Sequence, residues 1–303
     1  MELAASAIRR APKRRSSDSL LEGLLYVWAA FVLLITLYPL YFIVIASFSD
    51  PSAVGNGQVW VWPKGFTLEG YKELLNHSNI WVGYRNTIFY TAVGTGIGLA
   101  VNLSAAYALS RKDLFGRKAI TLFFLFTMFF NGGLIPTFLT IRDFGLYNSF
   151  WVMVLPFAVG VFDIIVARTF FQNSIPADLW ESAQIDGCGN LRYFFQFVLP
   201  LSKAVVSVLA LWIAVGHWNS YFGALIYLKD ESLYPLQLVL RNILITNQMQ
   251  SSMGSGEAAE IALRLANLMR YSVIIVSTIP IMLAYPFVQK HFNQGVMIGA
   301  VKQ

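Results

Sequence analysis

The chain has 303 residues, 56% of them hydrophobic and 13% charged, with a mean hydropathy of +0.58. A soluble domain carries about 25% charged residues, so a water-soluble globular fold is excluded as the main architecture. The net charge of +6 comes without a basic groove interleaved with exposed aromatics, which argues against nucleic-acid binding. The single cysteine, Cys188, excludes an intrachain disulfide and a Cys-rich metal site.

Residues 1–23 form a polar, basic tail. Leu24–Phe48 then opens a series of six stretches free of Asp, Glu, Lys and Arg. Its 25 residues exceed a signal-peptide core and no small-x-small cleavage site follows, so it reads as a retained signal anchor. The first span and an outside loop together occupy 24–82. Trp60, Trp62 and Pro63 fit an interfacial loop, and Leu68–Leu75 a short amphipathic helix on the membrane. A five-helix core is expected over 83–290, followed by a tail at 291–303. Its stretches are Asn86–Leu109, Ala119–Ile141, Phe144–Phe162, Ala204–Leu228 and Tyr271–Gln289, of 24, 23, 19, 25 and 19 residues. Each reaches the roughly 18 residues of a membrane helix. The expected fold is an all-α polytopic membrane protein with six transmembrane helices. Gly94-x-x-x-Gly98 puts two small residues on one face of the second span for close helix packing. Asn131-Gly132-Gly133 and Pro136 predict a local break or kink in the third, facing other helices because freed backbone groups cannot face lipid.

With the N-terminus inside, the inner segments hold fourteen of the 22 Lys and Arg, including Arg9, Arg10, Lys13, Arg14 and Arg15 before the first span. That asymmetry places both termini in the cytoplasm. Residues 229–267 form a second outside segment. Its Asn247–Ser252 run predicts a mobile loop and Glu257–Asn267 a helical stretch.

The inner loop at 172–203 is polar and rich in helix-capping residues. Pro176 suits a first helical turn, Asp178 and Glu181 lie near the positive end of that helix, and Gly187 is free to turn with positive φ. Asn190 can cap a second helix whose Tyr193, Phe194, Phe197 and Val198 make an apolar side. The result is a helix–turn–helix projection, with an amphipathic hairpin on lipid headgroups as the plainer reading. The spelling Glu181-Ser182-Ala183, Asp186-Gly187 and Leu199-Pro200-Leu201 closely resembles the EAA loop in permease subunits of ATP-binding-cassette importers. Trp218–Phe222, Leu233–Gln237 and the tail from Gly295 to Lys302 resemble the carbohydrate-uptake branch, which includes the maltose and alginate systems. Ser182 and Cys188 replace the alanines usual there, and Ala204 stands where a proline often follows.

The resemblance implies an ATPase-coupling set of Glu181, Ser182, Ala183, Asp186, Gly187, Leu199 and Pro200, and a C-terminal tail reaching between the ATPase subunits. It implies a heterodimer with a second permease in the bacterial cytoplasmic membrane, two ATPase subunits carrying ATP and Mg, and an extracytoplasmic solute-binding protein delivering oligosaccharide. This chain itself shows no G-x-x-x-x-G-K-[ST], so it binds no nucleotide cofactor and catalyses nothing.

The candidate substrate pathway comprises Asn131, Asp163, His217, Trp218, Asn219 and Tyr221. Asp163 is five residues from Arg168 and about 140° away on a helix, a poor pair, so it faces the pathway or hydrogen-bonds the partner permease, or else snorkels to the inner headgroups. His217 has no second metal ligand at suitable spacing. Trp218 and Tyr221 offer faces for sugar rings, and Asn219 and Ser220 bond hydroxyls; interhelical packing is the plainer reading. Trp60 and residues 241–256 are expected to receive the sugar, with Arg241 and Arg264 able to attract an acidic one. The alternative is an ion-coupled secondary sugar transporter, for which Asp163 is the one qualifying intramembrane carboxylate.

Overall fold

The computed structural model describes residues 16–253, 264, 266–283 and 286. The basic run at 9–15, the tail at 291–303 and most of the predicted stretch at 257–267 lie outside these residues. Every regular element among the described residues is helical. The chain divides into two compact units, Met1–Thr67 and Leu68–Gln303.

The first unit is α1 (Ser16–Ser47), the short α2 (Pro51–Gly55) and a loop. Apolar side chains are exposed along α1 from Leu24 to Leu40, a surface suited to hydrocarbon. The loop folds back on the helix end: the Tyr38 hydroxyl donates to the Trp60 carbonyl at 3.2 Å, Tyr41 bonds the Val61 carbonyl, and Phe48 stacks on Phe66. Asp50 caps α2 by accepting from the Ser52 amide at 2.8 Å.

The second unit is built around α4 (Ser78–Ser110), preceded by α3 (Glu69–Asn76). The amphipathic helix predicted at 68–75 forms as α3, and its buried Gly70 and Leu74 meet protein while Leu68 and Leu75 stay exposed. A Cβ on Gly70 would lie 2.5 Å from the Leu268 carbonyl oxygen, and Leu74 is buried with Ile80, Leu236 and Met269. Leu268 belongs to α14 (Ala266–Leu283), the helix of the sixth stretch. Between them run α5 (Arg117–Phe129), α6 (Leu134–Asp143), α7 (Val161–Ser174), α8 (Ala177–Ile185), α9 (Asn190–Tyr193), α10 (Leu199–Leu201), α11 (Lys203–Trp218), α12 (Phe222–Tyr227) and α13 (Leu236–Met253). A π-helical turn, Phe194–Val198, joins α9 to α10.

Three described helices are long and apolar enough to cross a membrane, at Leu21–Ser47, Ser78–Ser110 and Ala266–Leu283. The count rises to six if each of three bent pairs is one span. One predicted span needs correcting. The third breaks where Asn131-Gly132-Gly133 predicts: α5 and α6 meet at 113°, because Gly133 sits at φ +82°, closed to L side chains, and Asn131 turns back to accept from its amide at 3.1 Å. The fourth is displaced, since Phe150–Met153 and Leu155–Phe157 are 3-10 turns and the α-helix runs from Val161 to Ser174. Pro156 and Gly160 interrupt the earlier stretch. The predicted mobile loop at 247–252 is also corrected, as it continues α13, which is anchored by buried Leu236, Leu238 and Leu240.

The Gly94 and Gly98 face meets α11, as the spacing predicts. A Cβ on Gly94 would collide with the His217 ring, and one on Gly98 would reach Ile213 at 3.2 Å. Residues 232–236 are tied to α4 by polar groups near that helix's start. Asn86 Nδ2 donates to the Ser232 and Tyr234 carbonyls at 2.7 and 3.0 Å, and the Thr87 hydroxyl accepts from the Leu236 amide at 2.8 Å.

Candidate functional site: an interhelical cavity and a projecting foot

Three interruptions of helical structure surround one open cavity of about 770 Å³. Asn131, Gly133 and Leu134 come from the α5–α6 break, Phe157 and Asp163 from the start of α7, and Asn219, Ser220 and Tyr221 from the α11–α12 break. Non-helical backbone at membrane depth is tolerated where it lines a cavity or is covered by protein, so the site and the breaks explain one another.

The geometry at Asp163 is fixed by a residue that the sequence reading passed over. Asn102, buried in α4, donates from Nδ2 to the Ala158 carbonyl at 3.2 Å and accepts at Oδ1 from the Gly160 amide at 2.9 Å. It thereby holds the segment that leads into α7. Asp163 occupies the first turn of α7 with its carboxylate folded over Gly160, where any Cβ would collide with it. The carboxylate thus faces the cavity from the first turn of α7. Arg168 is occupied elsewhere, donating to the Leu109 carbonyl at 3.2 Å.

His217, Trp212 and Ile213 contribute the last two turns of α11 to the lining. Five of the six predicted pathway residues therefore meet: Asn131, Asp163, His217, Asn219 and Tyr221. Trp218 does not. It is buried on the other side of α11, its indole N–H donating to the Ser277 carbonyl at 3.0 Å and its ring 6.4 Å from that of Tyr84. Consecutive helical residues point about 100° apart, so His217 and Trp218 cannot both look into one cavity. Trp212 and Phe157 supply the aromatic surface that the sequence reading had given to Trp218.

The predicted projection at 172–203 forms as two short helices, α8 and α9, turning at Gly187 with φ +72°. Pro176 occupies the position just before α8, and Gly189 takes the capping position expected of Asn190. Asn190 instead accepts from the Tyr107 hydroxyl at 3.4 Å. The base of this foot is packed: Ala183, Tyr193, Phe194 and Val198 share a core with Leu103 and Ala106 of α4, Phe171 of α7 and Leu209 of α11. Arg111, just past α4, lies 3.8 Å from the Trp180 ring centre and pairs with Asp113 at 3.0 Å. Those two guanidinium bonds hold the Asp113 carboxyl below its ordinary value.

The predicted coupling residues divide between the two surfaces. Glu181, Ser182, Asp186 and Gly187 are exposed, as is Pro200, while Ala183 is 6% exposed and faces inward, and Leu199 is half-buried. Two exposed apolar side chains missed by the sequence reading flank the turn, Ile185 at 87% and Leu191 at 76% exposure. Their placement beside Asp186-Gly187 was the available signal. Asn102 was signalled too, as an amide inside an otherwise apolar span.

Foot and cavity share two helices. α7 begins at the cavity with Asp163 and runs into α8; α11 leaves the foot after an 85° bend and reaches the cavity with Trp212 and His217. At 1.5 Å per residue, their 14 and 16 residues span about 21 and 24 Å.

Residues 105–298 match the family described as "Binding-protein-dependent transport system inner membrane component". The chain belongs to this family of ABC-transporter permeases, and the relatives it resembles are carbohydrate permeases. It is 39% identical over 294 residues to the polygalacturonan/rhamnogalacturonan transport system permease protein YtcP of Bacillus subtilis (strain 168), covering 96% of this chain and 99% of that one. Identity to Protein LplC of the same organism is 37% over 268 residues, covering 88% and 90%. A similar solved structure is a bacterial ABC transporter involved in the import of the acidic polysaccharide alginate, with a TM-score of 0.83, 32% identity, and coverage of 93% of this chain and 100% of that one.

Proposed function

We propose that this chain is one half of the transmembrane pathway of an ATP-driven importer for oligosaccharides, and that residues 176–201 are its ATPase-coupling foot. The observation that carries the reading is the pair α7 and α11, each linking the foot to the cavity. ATP binding to two partner ATPases moves the foot, and the helices tilt the cavity walls between two arrangements. Ile185 and Leu191 seat in an apolar groove on the ATPase, with Glu181 and Asp186 meeting basic groups at its rim. Aromatic rings at Phe157, Trp212 and Tyr221 stack on sugar faces, while Asn131 and Asn219 bond hydroxyls.

In this reading each bent helix pair is one membrane span, giving six, with both termini in the cytoplasm of a bacterial cell and the chain in its cytoplasmic membrane. A second permease completes the pathway, and an extracytoplasmic binding protein delivers the sugar. ATP and Mg sit on the ATPases, and this chain holds no cofactor. Family membership favours this reading over ion coupling.

Purification of the tagged chain from its native membrane tests the assembly: an ATPase and a second permease should accompany it. Leu191→Asp should remove the ATPase while the second permease stays. Sugar uptake into vesicles by this chain alone, driven by an ion gradient, would overturn the proposal.

A further inference from the structure

The charge lining the cavity speaks to which sugars pass, and the inference rests on the importer reading above. Among the described residues the cavity is lined by amides, hydroxyls, aromatic rings and the His217 imidazole, with one carboxylate, Asp163, and neither Lys nor Arg. The cations named as attractors of an acidic sugar are placed elsewhere. Arg264 pairs with Glu69 at 3.3 Å, and Arg241 lies on α13 outside the lining. Arg142, the cation in the last turn of α6, pairs with Asp143 at 3.1 Å.

Asp163 is held in place on both sides. Asn102 fixes the backbone before α7, and the missing Cβ of Gly160 leaves room for the carboxylate. A carboxylate fixed beside aromatic surface is a strong acceptor for sugar hydroxyls, since its two oxygens can bond a neighbouring pair. The ionised carboxylate repels a uronate carboxylate brought to that position.

We infer that Asp163 is a specificity-determining residue: it accepts hydroxyl hydrogen bonds from an uncharged sugar unit and disfavours a carboxylated unit at this half of the pathway. The inference departs from the acidic polysaccharide named for the alginate transporter. An acidic chain passing here must present a neutral unit to Asp163 or find its counter-charge on the second permease.

The test uses the complete importer in proteoliposomes, with neutral oligosaccharides and uronate-containing ones of equal length, each measured for ATP-dependent uptake. Asp163→Asn keeps the shape and removes the charge. It should lower neutral-sugar uptake at limiting concentration and shift the uronate-to-neutral ratio upward by about tenfold, the scale of one charge-assisted hydrogen bond. Asp163→Ser should shift the ratio in the same direction, which covers misfolding of either variant, because a ratio within one preparation is independent of how much protein is active. An unchanged ratio in both variants, with the unaltered importer active, overturns the inference alone. An unaltered importer that moves neither sugar class overturns the importer reading, and the inference falls with it.

Discussion

The foot and the cavity are built by opposite means. The foot is a packed base with a bare tip: Ala183 and Tyr193 are sunk in a core shared with α4, while Ile185 and Leu191 stand out beside a turn that Gly187 alone can take without strain. The cavity is made by withholding structure, where three helices break and their polar groups converge. On the proposed function, a docking surface needs rigidity beneath and exposure above, whereas a passage needs helices that stop. Both rest on α4, which packs on α7 and α11.

The sharpest way to break this contrast lies where α4 meets α11 behind the cavity. Gly94→Ala places a methyl group against the His217 ring and should destabilise the protein by about 3 kcal/mol, the upper end for an overpacked core. Combining it with His217→Ala should recover most of that loss, a coupling readable in thermal unfolding of the purified chain. Equal destabilisation in the single and double variants would mean that the two residues do not touch.

Asn102→Ala comes next. It strands the part-buried Gly160 amide and the buried Ala158 carbonyl, at about 2 kcal/mol. Because Asn102 also positions Asp163, sugar affinity should fall with stability, while ATPase capture by the foot stays intact. Lost ATPase capture with unchanged sugar affinity would contradict the assignment of Asn102 to the cavity.

The foot and the cavity differ in how much the sequence disclosed. The foot was legible because its chemistry is local: a capped helix, a glycine turn and a second amphipathic helix occupy 26 consecutive residues, 176–201. The cavity was legible only as a set of residue types. Asn131, Asp163, His217, Asn219 and Tyr221 do converge, yet they come from three separate breaks, and no spacing rule joins them. Trp218 shows the cost of proximity in sequence, since one step along the helix turns it into the Ser277 contact. The fourth span was misplaced because an uncharged stretch of suitable length says nothing of the 3-10 turns around Pro156.

At the base of the foot, Trp180→Leu removes the Arg111 stacking and the edge contact with Tyr193 at 4.8 Å. A loss of about 1 kcal/mol is expected, seen as earlier proteolysis of the 176–201 segment while sugar affinity holds.

The smallest effect concerns acid. Arg111 holds the exposed Asp113 carboxyl below its ordinary value of 3.8. A depressed carboxyl contributes stability that is present above its unfolded value and lost as pH falls through the folded one. The contribution should therefore begin to fade below about pH 4, and solvent screening keeps it slight. Asp113→Asn should flatten only that acid limb of the unfolding temperature.

The central claim is that foot and cavity move as one through α7 and α11. Cys188 is the only cysteine, so a Cys188→Ser background allows a single reporter at Asn219→Cys in the assembled importer. ATP should change the accessibility of that thiol to a water-soluble reagent, and Ile185→Ser with Leu191→Ser should abolish the change without altering thermal stability. An accessibility that ignores ATP, or that responds equally with the foot disabled, would contradict the account.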